Sequence, residues 1–297
     1  MRSETQVFNQ ILNFTHSRDD IRAVTMNGSR ANPNAPKDLF QDYDVVCFTS
    51  NPRAYVDDQS WISTFGELVI LQQNDFTEYD LEGYIFLMLF QDGVRIDLAF
   101  DPLGILPHLP NDSMTVVLLD KDGQVPPIPP TSDTGYITAR PTEKEWDEAV
   151  NEIFWCSNNV AKGIWRDELP YVKYMYESII RDALLKVVSW YAASRHNWQI
   201  NPGYFGKWLQ RFLPAQVWEQ YRATYSGADY AEIWDSLFTA LDLTRKIGQE
   251  LADSLGYVYP IDDDTRTVEY LRHVRSLPPD ADSFDEISPH PALPQHM

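Results

Sequence analysis

The sequence predicts an α+β chain, with a mixed β-sheet and flanking helices in its N-terminal part and an α-helical bundle in its C-terminal part. Two changes of pattern carry that reading. Up to about residue 120, short apolar segments of strand length alternate with polar turns, and from residue 142 onward the apolar period becomes helical. Between them lies Gln-Val-Pro-Pro-Ile-Pro-Pro-Thr-Ser-Asp-Thr-Gly, residues 124–135. Its prolines remove backbone donors and fix φ, so it continues neither kind of element and reads as the connector. The expected organisation is a first domain over residues 1–135, a helical domain over 136–276 and a tail over 277–297.

Taken in order, Val7, Phe8, Ile11, Leu12 and Phe14 have the spacing of an amphipathic first helix. Strands are expected over residues 21–26, 43–48, 67–71, 85–90, 94–100 and 115–119, with a helix around Trp61 and Phe65 between the second and third. Helix and strand alternating in this way suit a mixed sheet covered by helices. Past the connector, Thr142 and Glu145 form a capping box just after Pro141. Trp146, Ala149, Val150, Ile153, Ser157, Val160, Ala161 and Ile164 then keep helical spacing along one face. A second helix is expected over 170–194, a short one near 216–225 and a third over 230–255. The many Trp, Tyr and Phe residues here read mainly as core. From Leu277 the chain is acidic and broken by prolines, too polar to pack, so a disordered or loosely held tail is expected.

A chain of 297 residues can bury a sizeable core and divide into two domains. Cys47 on an apolar strand and Cys156 on a helix read as buried free thiols, and the six histidines show no metal-ligand spacing. No apolar run reaches membrane-spanning length and Met1-Arg2-Ser3-Glu4-Thr5 is too polar for a signal peptide, so the expected setting is the cytoplasm, away from membranes. The formal net charge of -20 repels a phosphate backbone, which argues against nucleic acid and in favour of a cationic partner. Most of the acids, including Asp262, Asp263 and Asp264, read as solvated surface.

The stretch that carries chemistry is Gly28-Ser29-Arg30 followed by Phe40-Gln41-Asp42-Tyr43-Asp44-Val45-Val46. On a strand, Asp42 and Asp44 share a face about 6 to 7 Å apart. Two such charges beside an apolar run repel each other unless a metal or a proton offsets them, and a divalent ion is the economical answer. Asp97, flanked by apolar residues in Val94-Arg95-Ile96-Asp97-Leu98, adds a third carboxylate on a second strand. Mg²⁺ suits this set, because it takes hard oxygen ligands and completes its shell with water and substrate phosphates. Asp42 and Asp44 would hold the metal, leaving Asp97 as a base. Gly28 permits close approach of the backbone to a phosphate, and the Ser29 hydroxyl with successive N–H groups can receive its oxygens.

At these residues the chain resembles the nucleotidyltransferases of the polymerase beta-like superfamily, whose hallmark is Gly-Ser, then D-x-D, then a third carboxylate on a later strand. Within that superfamily it is similar to the aminoglycoside 6-adenylyltransferases, the streptomycin-modifying enzymes. The likeness extends to Val24-Thr25, Leu118-Leu119-Asp120-Lys121-Asp122, Arg140-Pro141-Thr142, Lys162-Gly163, Tyr225-Ser226 and Trp234 through Phe238, covering roughly residues 1–260. The resemblance implies a nucleotidyltransferase domain followed by the helical bundle. It further implies transfer of AMP from Mg-ATP to the 6-hydroxyl of streptomycin, conferring antibiotic resistance, with Asp97 as the general base. Arg30, Lys162 and Lys207 are candidates for the nucleotide phosphates, with Lys186 a weaker one. Glu177 and Asp182 are candidates for the cationic groups of the drug. The expected partners are ATP and a cationic aminoglycoside, and the expected state is a monomer. Two alternatives stay open: a nucleotidyltransferase acting on a protein or another small-molecule hydroxyl, and a non-catalytic binder of nucleotide or drug with the same fold.

Overall fold

The computed structural model describes residues 1–285, so the last part of the expected tail, 286–297, lies outside the described residues. The chain divides into two compact units, Met1–Gly135 and the residues from Tyr136 onward.

The first unit contains α1 (Glu4–His16), β1 (Ile21–Met26), α2 (Gly28–Ala31), β2 (Tyr43–Thr49), α3 (Ala54–Asp57), β3 (Leu68–Glu78), β4 (Leu81–Phe90), β5 (Arg95–Pro102) and β6 (Val116–Asp120). Short 3₁₀ segments occupy Ser60–Phe65 and Leu103–Asn111. The strands form one mixed sheet in the order β3-β4-β5-β2-β1-β6, with β2 and β5 parallel and the other neighbours antiparallel. Apolar runs on β2 and β5 suit their central places, where both faces are covered. Alternation then sorts the side chains. Tyr43, Val45, Cys47, Ile96, Leu98 and Phe100 enter a core shared with α1, Trp61 and Phe65. Their neighbours Asp44, Val46, Phe48, Asp97, Ala99 and Asp101 belong to the opposite face. Its far end is covered by Ile105, Leu106 and Leu109, which pack with Phe48 and Ala23.

β3 and β4 run well beyond the expected 67–71 and 85–90. Residues 72–78 carry little apolar signal because β3 is an edge strand, where polar residues are normal. The hairpin closes on Tyr79 and Asp80, both left-handed at φ 50° and 62°, without the glycine or asparagine that usually marks such a turn.

The second unit holds α4 (Glu143–Trp165), α5 (Leu169–Lys173), α6 (Arg181–Ser194), α7 (Ala215–Arg222), α8 (Tyr230–Leu255) and α9 (Ile261–Ser276). The Thr142–Glu145 capping box is formed, and the expected stripe on α4 is buried from Trp146 to Ala161, with Ile164 half-buried. The expected continuous helix over 170–194 is interrupted by a π-helical stretch, Tyr174–Ile180, which apolar spacing alone does not distinguish from α-helix.

Asp264 corrects the reading of the 262–264 run as solvated. It is fully buried in the first turn of α9, accepting from Arg245 Nε at 2.7 Å and Nη2 at 2.5 Å and from the Tyr259 hydroxyl at 2.6 Å. The beginning of the expected tail also departs from its polar appearance. The Phe284 ring stacks on Tyr270, and the Trp165 indole N–H donates to the Pro278 carbonyl at 2.9 Å. Among the described residues, no helix is long and apolar enough to cross a membrane.

Candidate active site

β2 and β5 run side by side with Asp44 directly opposite Asp97, and adjacent strands lie about 5 Å apart. Asp42 stands one residue ahead of β2, so the parallel pairing brings three acids to one end of the strand pair. The turn before them is fitted to this edge. The Asn27 backbone N–H donates to the Asp44 carbonyl at 2.8 Å, and Gly28 follows with φ +69°. A Cβ on Gly28 would fall 2.0 Å from Asp44 Oδ2, so the carboxylate occupies the space that only glycine leaves. The Asn27 side chain donates to Asp112 at 2.8 Å and Thr115 at 3.0 Å, fixing the turn from its other side.

The cation among these acids is one that the sequence pattern did not single out. Arg95 shares a strand face with Asp97 and donates to both of its carboxylate oxygens, Nε at 2.8 Å and Nη2 at 2.7 Å. Its Nη1 also reaches Asp42 at 3.4 Å. The hydrogen bonds to Asp97, with the charges of Asp97, Asp42 and Asp44, raise the pKa of Arg95 and hold it firmly charged. A metal or a proton is therefore not the only way to offset these acids, because a guanidinium two residues from Asp97 already does so in part. The i, i+2 spacing of Arg95 and Asp97 was the signal that could have revealed it.

Arg30 is engaged within the chain on every side of its guanidinium. Its Nε and Nη2 donate to the Asp42 and Gln41 carbonyls at 3.0 and 2.9 Å, its Nη1 pairs with Glu4 at 3.0 Å, and its guanidinium lies 3.8 Å from the Tyr43 ring centre. It thus latches down the loop that carries Asp42. Ser29 is half-buried, and its carbonyl accepts from Gln41.

The other candidates lie in the second unit. Both Glu177 oxygens are engaged by neighbours on its own helix, Lys173 at 2.8 Å and Arg181 at 3.2 Å, so this acid serves first as a clamp between two cations. Asp182 pairs with Lys186 at 2.8 Å, both more than half exposed, and lines a groove with Glu145, Glu148 and Glu152. Lys207 is exposed with its ammonium 5.0 Å from the Trp208 ring centre, and Lys162 is half-buried near Trp165.

Among the described residues, no three His, Cys, Asp or Glu side chains form a group that could hold a metal ion unaided. That agrees with the donor chemistry of Mg²⁺, which takes one or two carboxylates and completes its shell with substrate phosphate and water. Asp42 and Asp44 fit this mode.

A mixed sheet that presents a Gly-Ser turn against D-x-D, with a third carboxylate on the adjacent parallel strand, defines a nucleotidyltransferase. The sequence profile of one such group, described as streptomycin adenylyltransferase, matches residues 1–274. The chain belongs to that family and is an adenylyltransferase. A Campylobacter jejuni protein named aminoglycoside 6-adenylyltransferase is 34% identical over 270 residues, covering 89% of this chain and 93% of that one. A Bacillus subtilis protein of the same name is 34% identical over 266 residues, covering 88% and 94%. A crystal structure of an aminoglycoside 6-adenyltransferase from Bacillus subtilis aligns with 93% of this chain and all of its own at 29% identity and a TM-score of 0.47.

Proposed function

We propose that this enzyme transfers an adenylyl group from Mg-ATP to a hydroxyl of an aminoglycoside, with streptomycin and its 6-position as the expected acceptor, and so confers resistance to it. The observation that carries this reading is the register of β2 and β5, which sets Asp44 opposite Asp97 beside Gly28 and Asp42. Relatives named for that activity and a net charge of -20, favourable to a polycationic acceptor, support it.

Asp42 and Asp44 would hold Mg²⁺, which supplies charge neutralisation at the triphosphate. Gly28 and Ser29 receive phosphate oxygens through backbone N–H groups and the hydroxyl. Asp97 takes the proton from the acceptor hydroxyl as its oxygen attacks the α-phosphorus. The bond from that phosphorus to the bridging oxygen breaks, and pyrophosphate leaves. Arg95 must release one Asp97 oxygen for this step, and its guanidinium stays beside the acids as a fixed positive charge.

The test is pyrophosphate release from ATP and Mg²⁺ across a panel of aminoglycosides, with mass spectrometry counting added adenylyl groups. Streptomycin is expected to gain one. Asp42→Asn, Asp44→Asn and Asp97→Asn should each reduce turnover by at least about 10²-fold. Absence of product with every drug would refute the reading, and full turnover by the Asp97 variant would refute its role as base.

A further inference from the structure

The catalytic face of the sheet continues past Asp97 to Asp101, four residues along β5 and therefore about 13 Å away. Asp101 is 6% exposed, and its Oδ1 has no hydrogen-bond partner. A buried carboxylate oxygen left this way is costly, because nothing replaces its lost water. The chain makes room for it: a Cβ on Gly83 of the neighbouring strand would come within 2.8 Å of that oxygen. Asp101 lines a cavity of about 330 Å³ between the sheet and the 3₁₀ segment Leu103–Asn111.

The other walls have a definite chemistry. Glu78 adds a second carboxylate, and with burial it pushes the Asp101 pKa up to about 7. Tyr79, held at the left-handed hairpin tip, stacks on His108 with ring centres 3.6 Å apart and planes 10° apart, and both rings line the cavity. A desolvated acceptor beside flat aromatic surface suits an organic cation.

We propose that this cavity binds an ammonium or guanidinium group of the acceptor, with Asp101 as its counter-ion and the Tyr79–His108 pair as its aromatic wall. This rests on the reading that the acceptor is a polycationic sugar alcohol. A ligand of two or three rings can place one hydroxyl at Asp97 and a cationic group near Asp101. The site would then add to the hold on the acceptor.

Steady-state kinetics of the full chain with streptomycin and ATP test this. Asp101→Asn should raise KM for streptomycin about tenfold or more, while KM for ATP and kcat stay within about twofold. Tyr79→Leu, on the exposed rim, should raise the same KM by a smaller factor and serves as the readout if the first variant folds poorly. Methylguanidinium should inhibit competitively against streptomycin and lose potency in Asp101→Asn. An unchanged streptomycin KM in both variants, or a rise in the ATP KM instead, would overturn the proposal. Binding of methylguanidinium followed by NMR of the Tyr79 and His108 rings needs no turnover, so it separates this proposal from the functional reading. Wild-type protein inactive on every aminoglycoside refutes the function. Rings unperturbed by methylguanidinium, or perturbed equally in Asp101→Asn, refute the site.

Discussion

Gly28→Ala is the sharpest test of how the Gly-Ser turn and the D-x-D strand depend on each other. The added Cβ would lie 2.0 Å from Asp44 Oδ2, 2.7 Å from its Cγ and 3.2 Å from its Cβ. Turning the carboxylate tip alone does not relieve this, because the Asp44 stem is also crowded. Either the carboxylate swings away or the turn moves, by roughly 1 Å, and a displacement of that size at a reacting centre costs about 10²-fold in rate. The φ of +69° adds about 1–2 kcal/mol of backbone strain for any residue with a Cβ. Gly123→Ala isolates that second effect. Gly123 has φ +65°, yet a Cβ added there would meet nothing within 4 Å. Both variants should therefore melt several degrees lower, whereas only Gly28→Ala should lose about 10²-fold in kcat for pyrophosphate release. Wild-type turnover by Gly28→Ala, or equal losses in the two variants, would refute the reasoning.

Two further outcomes follow from the same face of the sheet. Arg95→Met removes the guanidinium that orients Asp97 and reaches Asp42, and should lower kcat by roughly 10- to 100-fold, as losses of such supporting contacts do. A rate within twofold of wild type would make Arg95 a surface counter-ion only. For Asp101, burial and then Glu78 raise the folded-state pKa from 3.8 to about 7, so the folded chain keeps a proton that the unfolded chain gives up. Its contribution to stability is complete below about pH 4 and is lost as pH climbs towards 7, by on the order of 4 kcal/mol. Urea midpoints of Asp101→Asn should vary less over that interval than those of wild type, and parallel pH profiles would count against the raised pKa.

How much was legible in advance varied with the range of the interaction. The six strands were visible because alternation and apolar runs record burial on one face or two, and the α4 cap because its partners lie three residues apart. The edge strand β3 was half hidden, since its outer residues bury too little to leave a pattern. Asp264 looked like its neighbours Asp262 and Asp263 because the partner that permits its burial, Arg245, lies on another helix. The partners of Arg30 were hidden for the same reason: the carbonyls that hold it belong to a loop brought back by the fold.

By itself the sequence determined most of the strands and helices, though not α9, that two acids flank Tyr43 behind a Gly-Ser turn, and that a third sits on a later strand. Local spacing is enough for this, because side-chain direction on a strand repeats every two residues. Only the tertiary structure decided that Asp44 faces Asp97 across a parallel pair, that Arg95 ties Asp97 and Asp42 together, and that Asp101 ends in a cavity beneath Tyr79 and His108. Those facts depend on strand order and register, which are set by how distant apolar faces pack, and no run of adjacent residues encodes them.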